Sequence, residues 1–348
     1  MMSLRPSLLF ATSLSLSPHL RLNHAVRRVR AGSSSLHLHT TTRGSDGTII
    51  IAPDDCSRHS ASVILCHGLG DTAMGWEEPV QYLARQLPHV KFILPSAPKQ
   101  PVTLNMGMVM PSWYDIVGLD LRSNEVCNGL DDSVDRIMNL VDVEINDDTM
   151  ATSSIKSSPL DYSRIVLAGF SQGGALALYA GMTQTRRKNS SDDDAVGLGF
   201  AGIVVMSGYL PRSNQLKLSP GSENTPILHC HGEMDSVVSV QAAKLSKERI
   251  SSLVKESGLG NGDTYELKTY RGLDHSVSME ELDDVVSFLM HVIPPICDAT
   301  SMEDPAKMSV RQLRDEISKA GLNEQAKGML EKSELVHLLS QHLEQTAK

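Results

Sequence analysis

The sequence lacks the features of a disulfide-rich or membrane-spanning protein. Its five cysteines among 348 residues are widely spread and form no CxxC pair, which predicts no disulfide framework and favours a reducing compartment. No apolar run approaches the roughly 18 residues that a membrane-spanning helix needs, and the longest, Leu8–Leu16, is interrupted by Ser and Thr. The net charge of −9 disfavours DNA, RNA and anionic lipid as partners.

Residues 1–45 contain no Asp, Glu or Lys, but they contain six arginines and many serines and leucines. This composition is typical of an organelle transit peptide, and it predicts a plastid or mitochondrial location. Without such a peptide the chain is expected in the cytoplasm. Two alternatives stay open, a disordered tail and a secretory signal with Leu8–Ala11 as its apolar core. In each case we expect this leader to lie outside the fold.

Strand-like and helix-like segments alternate after residue 46, which predicts an α/β domain with a mostly parallel sheet covered by helices on both faces. We assign residues 46–298 to this domain, 299–306 to a linker and 307–348 to a small helical module. Two polar stretches, 146–159 and 183–194, are interpreted as solvated loops.

Residues 169–173 have the pattern GxSxG, between a predicted buried strand, Arg164–Ala168, and a predicted helix, Ala175–Met182. A strand-to-helix turn this sharp forces its serine into a crowded backbone conformation, and glycines two residues away on either side leave room for it. The pattern in this context predicts an α/β-hydrolase fold with Ser171 as nucleophile. A purely structural Ser171 is the alternative.

A serine hydroxyl needs a base to become nucleophilic, and the base needs an acid that orients it. In this fold the chain order is Ser, acid, His. His275 is the predicted base, because it lies in a loop between the last predicted strand and a helix with a capping-box sequence. The alternatives fit less well, since His229 falls within a predicted strand and His291 within a predicted helix.

The acid is expected in a loop that follows a strand between Ser171 and His275. Asp235 is the predicted acid, because it lies in the loop after the predicted strand Ile227–Cys230. Glu233 is the nearest alternative. Asp274 is disfavoured, because side chains of neighbouring residues rarely face each other.

The oxyanion of an acyl-transfer reaction needs two backbone N–H donors. Gln172, directly after the nucleophile, is one predicted donor, and Leu69 in the glycine-flanked loop 67–71 is the other; a plain glycine turn is the alternative there. Similar Cys-His-Gly triplets end two predicted strands, at 66–68 and 230–232. We interpret them as two strands that end alike at the active face, and we expect no zinc site.

Three methionines, Met106, Met108 and Met110, alternate along one segment, so an extended backbone would point all three the same way. Methionine adapts to irregular apolar partners, as an acyl-chain channel requires. We predict that these residues, with Trp113 in the same segment, bind the substrate. Ordinary core packing is an equally good interpretation.

Together these motifs resemble the acyl-protein thioesterase and lysophospholipase family of carboxylesterases, over roughly residues 60–292. The resemblance implies an α/β-hydrolase fold, a triad of Ser171, Asp235 and His275, oxyanion donors at Leu69 and Gln172, and no metal or organic cofactor. It also implies removal of long acyl chains from protein cysteines or lysolipids, with short-chain ester hydrolysis as an alternative. The matching segments are HGLGD (67–71), VTLNMG (102–107), PSWYD (111–115), GFSQGGALALY (169–179), HGEMDSVV (231–238) and GLDHSVSMEEL (272–282).

The C-terminal residues 307–348 resemble a SAP-type helical module, which the core of that family lacks. Such modules often bind DNA, but residues 301–348 hold seven Lys or Arg against eight Asp or Glu, and phosphate binding needs a basic surface. We therefore expect this module to dock onto a protein or to oligomerise. A catalytically idle acyl-binding or scaffold protein is the non-enzyme alternative for the whole chain.

Overall fold

The structure is a computed structural model that describes residues 39–118, 126–146, 160–184, 199–260, 264–296 and 305–346, apart from 321, 323, 324 and 330. The chain divides into two compact units, Met1–Pro294 and Pro295–Lys348. The leader before residue 39, most of the two predicted polar loops and most of the predicted linker lie outside the described residues. Among the helices within these ranges, none is long and apolar enough to cross a membrane.

The first unit is built on an eight-stranded sheet with the strand order β1-β2-β4-β3-β7-β8-β9-β10. The strands from β4 to β10 in this order run parallel, whereas β1 and β2 pair antiparallel at one edge. The strands are β1 (His39–Arg43), β2 (Ile49–Pro53), β3 (Ala61–Cys66), β4 (Val90–Leu94), β7 (Ile165–Phe170), β8 (Gly202–Met206), β9 (Ile227–Gly232) and β10 (Tyr265–Tyr270).

Within the described ranges, five helices cover the two faces of this sheet: α1 (Glu77–Gln86), α2 (Leu130–Asn146), α3 (Gln172–Thr183), α4 (Val240–Ser257) and α5 (Met279–Val292). Side chains of α1 and α5 share one apolar core with one face of the sheet, and those of α2, α3 and α4 pack on the other face. The central strands β3, β7 and β8 are buried along their whole length, because helices cover a parallel sheet on both sides. The predicted fold class is therefore confirmed.

Strand β1 lies within the range that sequence reasoning assigned to the leader. The run Thr40–Thr42 favours a strand because β-branched residues fit a pleated surface, and β1 pairs antiparallel with β2 in the register His39 to Pro53. The Arg43 guanidinium adds an ion pair with Glu77, with an N–O distance of 2.6 Å. The expectation that the leader lies outside the fold is wrong for its last residues.

A separate two-stranded hairpin joins β5 (Lys99–Val102) to β6 (Met108–Pro111). It lies in the segment that sequence reasoning treated as a substrate-binding stretch. The hairpin is tied to the loop after β3, because the Gly70 N–H donates to the Pro111 carbonyl at 2.8 Å. This contact brings the methionine-rich segment close to one end of the sheet.

The described part of the second unit contains two helices, α6 (Val310–Lys319) and α7 (Lys332–Thr346). A capping box begins α6, in which Ser309 and Gln312 each bind the other's backbone N–H. The two helices and the segment between them share a small apolar core of Met308, Leu313, Ile317, Leu322, Ala326, Leu335 and Leu339. Its likeness to a SAP-type module stays a prediction.

Candidate active site

Ser171 lies at the sharp turn from β7 into α3, with φ of 53° and ψ of −119°. Residues other than glycine rarely adopt this backbone conformation, and those that are held in it often mark functional sites. The two motif glycines make the turn possible, because a Cβ added at Gly169 would lie 2.3 Å from the Gly173 carbonyl carbon. A Cβ at Gly173 would lie 2.2 Å from the Cys66 carbonyl oxygen.

The side chains of Ser171, His275 and Asp235 form one line of hydrogen bonds. The His275 Nε2 atom lies 3.0 Å from Ser171 Oγ, and its Nδ1 atom lies 2.7 Å from Asp235 Oδ2. These are the distances of a nucleophile, a base and an orienting acid. The structure thus brings together the three residues that sequence reasoning selected.

The Asp235 carboxylate is fully buried and has a partner for each oxygen. Its Oδ1 atom accepts the N–H groups of Val237 at 2.9 Å and Val238 at 2.8 Å, while Oδ2 faces His275. Burial alone would raise the pKa of Asp235, but the hydrogen bond and charge of His275 and the two N–H groups outweigh it and lower the pKa. Asp235 therefore stays ionised beside the imidazole.

The alternative acids and bases lie outside the hydrogen-bonded line of Ser171, His275 and Asp235. Glu233 is exposed and accepts the Thr269 hydroxyl at 2.9 Å, and Asp274 is exposed beside Ser276. His291 is exposed on α5, whereas His229 is buried in β9. The geometry therefore supports Asp235 and His275 over each of these.

His275 lies in the loop between β10 and α5 and packs against the Phe170 ring at a centroid distance of 4.9 Å. The loop ends at a capping box, because the Ser278 hydroxyl accepts the Glu281 N–H at 3.1 Å and the Glu281 carboxyl group accepts the Ser278 N–H at 3.4 Å. This cap fixes the start of α5. The loop that carries His275 is thus anchored at its C-terminal end.

The two predicted oxyanion donors come from two different segments next to the nucleophile, the first turn of α3 and the loop after β3. Gln172 is the first residue of α3, so its N–H has no acceptor within the helix and points out of the helix N-terminus. Leu69 follows Gly68, whose added Cβ would lie only 3.5 Å from Ser171 Cβ. The loop after β3 therefore passes beside the nucleophile, where its backbone N–H groups can face a developing oxyanion.

Trp113 is fully buried, which leaves it no exposed surface for a substrate. Its indole N–H donates to the His67 carbonyl at 2.8 Å, and its backbone N–H donates to Gln172 Oε1 at 3.0 Å. Trp113 thus ties the loop after β3 to the start of α3. The prediction that Trp113 contacts the substrate is therefore wrong in this structure, since the side chain instead positions the two predicted oxyanion donors.

The Gln172 side chain is a part of the site that sequence reasoning missed. Its amide nitrogen donates to the Tyr114 carbonyl at 2.7 Å and to the Ser112 hydroxyl at 3.0 Å. Because the amide is buried and each of these bonds crosses between distant segments, it fixes the direction of the Gln172 backbone. A polar residue directly after a predicted nucleophile was the only available signal.

The three predicted methionines do not share one extended segment. Met108 and Met110 lie on β6, but Met106 precedes the strand in a left-handed turn with φ of 56°. Met106 is 89% exposed and Met108 60% exposed, whereas Met110 is half-buried and its sulfur accepts the Asn105 amide at 3.2 Å. The predicted common direction is therefore wrong for Met106, and substrate contact of all three stays a prediction.

The two Cys-His-Gly triplets end β3 and β9, at the same edge of the sheet. His67 Nε2 accepts the Ala97 N–H at 2.9 Å, so Nδ1 carries the proton and donates to the Gly68 carbonyl at 2.7 Å. Burial lowers the pKa of His67 to about 4, and the ring is neutral. Across the described ranges, no group of three or more His, Cys, Asp or Glu residues is arranged to hold a metal ion.

Comparison with known proteins identifies the family of the chain. Residues 46–293 match the phospholipase/carboxylesterase family. The chain is 36% identical over 252 residues to acyl-protein thioesterase 1 of Mycosarcoma maydis, a match that covers 71% of this chain and 97% of that protein.

A second relative, acyl-protein thioesterase 1 of Gibberella zeae, is 38% identical over 250 residues, which cover 69% of this chain and 93% of that protein. Among solved structures, Zea mays acyl-protein thioesterase 2 superposes with a TM-score of 0.56 at 26% identity, covering 71% of this chain and 98% of that one. The chain therefore belongs to the phospholipase/carboxylesterase family and is a serine hydrolase of esters and thioesters with the α/β-hydrolase fold.

Proposed function

We propose that the chain is an acyl-protein thioesterase that removes long acyl chains from protein cysteines. The observation that carries the proposal is the hydrogen-bonded line of Ser171, His275 and Asp235, with the serine held at positive φ. The names of the relatives, which are acyl-protein thioesterases over nearly their whole length, support the substrate class.

The reaction proceeds by two acyl transfers. Ser171 Oγ attacks the thioester carbonyl while its proton passes to His275 Nε2, and the N–H groups of Leu69 and Gln172 stabilise the oxyanion. The intermediate then expels the cysteine thiolate, which takes the proton from His275 and leaves an acyl-serine ester.

Water releases the acyl group in the second step. His275 removes a proton from the water, the resulting hydroxide attacks the acyl-serine carbonyl, and the serine oxygen regains a proton from His275 as the fatty acid departs. Asp235 stays ionised throughout and stabilises the imidazolium. These steps use protein groups alone, so we expect activity without an added metal or cofactor.

The first experiment is the replacement of Ser171 by Ala. We expect loss of thioester turnover and of labelling by a fluorophosphonate, because both require the serine oxygen. The matched control is Ser252→Ala, since Ser252 lies exposed on α4, one helical turn from Glu256, to which its hydroxyl donates. Turnover that survives in Ser171→Ala would contradict the proposed nucleophile.

The second experiment separates the substrate classes. Thioester and oxyester substrates with acyl chains from two to sixteen carbons are compared by kcat/KM, together with a lysophospholipid. A preference for long-chain thioesters supports the proposal. A preference for the lysophospholipid or for short oxyesters would instead assign the chain to lysophospholipase or short-chain carboxylesterase activity, which are the alternatives within the family.

We also propose that residues 307–348 bind a protein partner. The support is their balanced charge, with seven basic and eight acidic residues in 301–348, since nucleic-acid binding requires a basic surface. Retention of the full chain on DNA at physiological salt would contradict this proposal.

For the location we propose a plastid or a mitochondrion. The support is the arginine-rich, acid-free composition of the leader. A fluorescent protein fused to the C-terminus of the full chain tests it, and a diffuse cytoplasmic signal would contradict it.

A further inference from the structure

Two buried histidines beside the triad have no role in the steps above. His229 and His231 are both fully buried, and they occupy alternate positions on β9. Residues two apart on a strand point to the same face, and the two rings lie 5.5 Å apart between centroids. Burying two imidazoles costs free energy unless their nitrogens find partners, so the partners of these rings indicate their role.

The hydrogen bonds of the two rings run in one direction. His231 Nε2 lies 2.8 Å from the Val238 carbonyl oxygen, which can only accept, so this nitrogen carries the proton. His231 Nδ1 then accepts, and it lies 3.4 Å from His229 Nε2. His229 Nδ1 is therefore also an acceptor, and the Tyr265 hydroxyl at 2.7 Å donates to it.

The acid loop is held at the end of this chain of bonds. Val238 is fixed on both sides, because its N–H donates to Asp235 Oδ1 at 2.8 Å and its carbonyl accepts from His231 at 2.8 Å. His231 Nε2 also lies 3.5 Å from Asp235 Oδ2, the oxygen that faces His275. Loss of the bond between His231 and Val238 would release the turn on which the carboxylate depends.

The charge of His231 matters for the same reason. Burial lowers the pKa of both His229 and His231. At His231 the hydrogen bond to the Val238 carbonyl and the charge of Asp235 oppose this effect without cancelling it, and at His229 the hydrogen bond to the Gly208 carbonyl does the same. A neutral His231 donates its single Nε2 proton to Val238 and leaves Asp235 Oδ2 to His275. A charged ring at 3.5 Å would compete with His275 for that oxygen.

We propose that His231, oriented by His229 and Tyr265, is a positioning residue for the triad. It holds the turn from Asp235 to Val238 so that the carboxylate stays aligned on His275. The inference rests on the proposed function of Asp235. It assigns a kinetic role to a buried residue that contacts neither the substrate nor the reacting atoms.

The test compares His231→Leu with His231→Gln in the full chain. Leucine removes the donor to the Val238 carbonyl, and we expect kcat to fall about 100-fold with KM nearly unchanged, since a misplacement of about 1 Å costs roughly this factor. Glutamine restores an N–H at a similar reach, and we expect it to recover most of kcat. The rate of fluorophosphonate labelling should follow kcat in both variants.

The matched control is Leu228→Ala, which removes a buried side chain from the same strand on its opposite face. We expect it to lower the melting temperature while kcat stays near the wild-type value. If His231→Leu does not fold, Tyr265→Phe replaces it as the test variant. This substitution removes the hydroxyl that holds the His229 ring and keeps the side-chain volume nearly the same. We expect it to lower kcat severalfold.

Two results would overturn the inference. The first is a kcat of wild-type size in folded His231→Leu, or in Tyr265→Phe if the leucine variant does not fold. The second is a loss of kcat in Leu228→Ala as large as the loss in His231→Leu. Either result is compatible with the proposed function as long as the wild type hydrolyses the thioester and Ser171→Ala does not. A wild type that neither turns over nor labels would instead contradict the proposed function itself.

Discussion

Glu281 is a carboxyl group that folding places where a charge is disfavoured. The side chain is fully buried in the first turn of α5, and among the described residues its Oε1 atom has no hydrogen-bond partner. Burial raises the pKa of Glu281 to about 8 from its ordinary 4.5, the Ser278 N–H opposes this, and the charges of Asp284 and Asp235 add to it. The folded protein therefore holds a proton here that the unfolded chain releases.

The sign of the effect follows from proton binding. Between pH 4.5 and about 8 the folded state binds more protons at Glu281 than the unfolded state does, so the free energy of unfolding falls as pH rises through this window. Each pKa unit corresponds to about 1.4 kcal/mol. At pH 7 ionisation of Glu281 therefore stabilises the unfolded state by about 3 kcal/mol relative to the folded state.

Glu281→Gln removes this effect and keeps the shape of the side chain. The amide oxygen can still accept the Ser278 N–H, so the capping box survives. The extra buried N–H of the amide adds a constant cost at every pH, so the pH dependence is the diagnostic quantity. We expect the variant to gain about 3 kcal/mol relative to the wild type between pH 4 and pH 7.

Urea unfolding at pH 4, 5, 6, 7 and 8 measures this difference. Glu280→Gln is the matched control, because Glu280 is the exposed neighbour in the same helical turn, and we expect its difference from the wild type to vary little with pH. A difference for Glu281→Gln that is the same at all five pH values would refute the reasoning. So would a wild type that gains stability over the variant as pH rises.

Two further predictions concern the turn at the nucleophile and a buried ion pair. Gly173→Ala should abolish turnover and destabilise the fold, because the new Cβ would lie 2.2 Å from the Cys66 carbonyl oxygen and the packed backbone cannot move far enough to relieve this clash. Measurements of kcat and of the thermal unfolding temperature test this prediction, and a fully active variant would contradict it. Lys91→Ala should lower the free energy of unfolding by about 3 kcal/mol, because it removes the ammonium group that lies 2.6 Å from the buried Glu144 carboxylate and leaves that charge with the Ser62 hydroxyl at 2.6 Å and His59 at 3.9 Å. Adding Glu144→Gln should recover part of that loss, and a double variant less stable than Lys91→Ala would contradict this.

The three residues of the hydrogen-bonded line could be predicted because each depends on local sequence and chain order. GxSxG constrains the backbone within five residues, and the order Ser, acid, His follows from the fold that the motif implies. The capping box before α5 is equally local, and both of its hydrogen bonds are present. Local rules of this kind need no knowledge of which strands are neighbours.

The parts that were missed depend on tertiary contacts. Trp113 is aromatic in a methionine-rich segment, and only the fold shows that its indole N–H reaches the His67 carbonyl. Strand β1 requires its partner β2 before a threonine run becomes a strand rather than part of a leader. The indole bond joins residues 46 positions apart, which exceeds the reach of any periodicity.

The strand order also explains why the acid and base loops must be so close to each other. β10 lies three strands from β7, about 14 Å away at the usual strand spacing, and His275 must cover that distance to reach Ser171. The loop does so by passing over the end of β9, where the Met234 N–H donates to the Leu273 carbonyl at 2.9 Å. Gly232 permits this approach, since a Cβ there would lie 2.3 Å from the Leu273 oxygen. The acid loop is therefore also the support on which the base loop rests, so a shift of the turn at Asp235 displaces His275 as well.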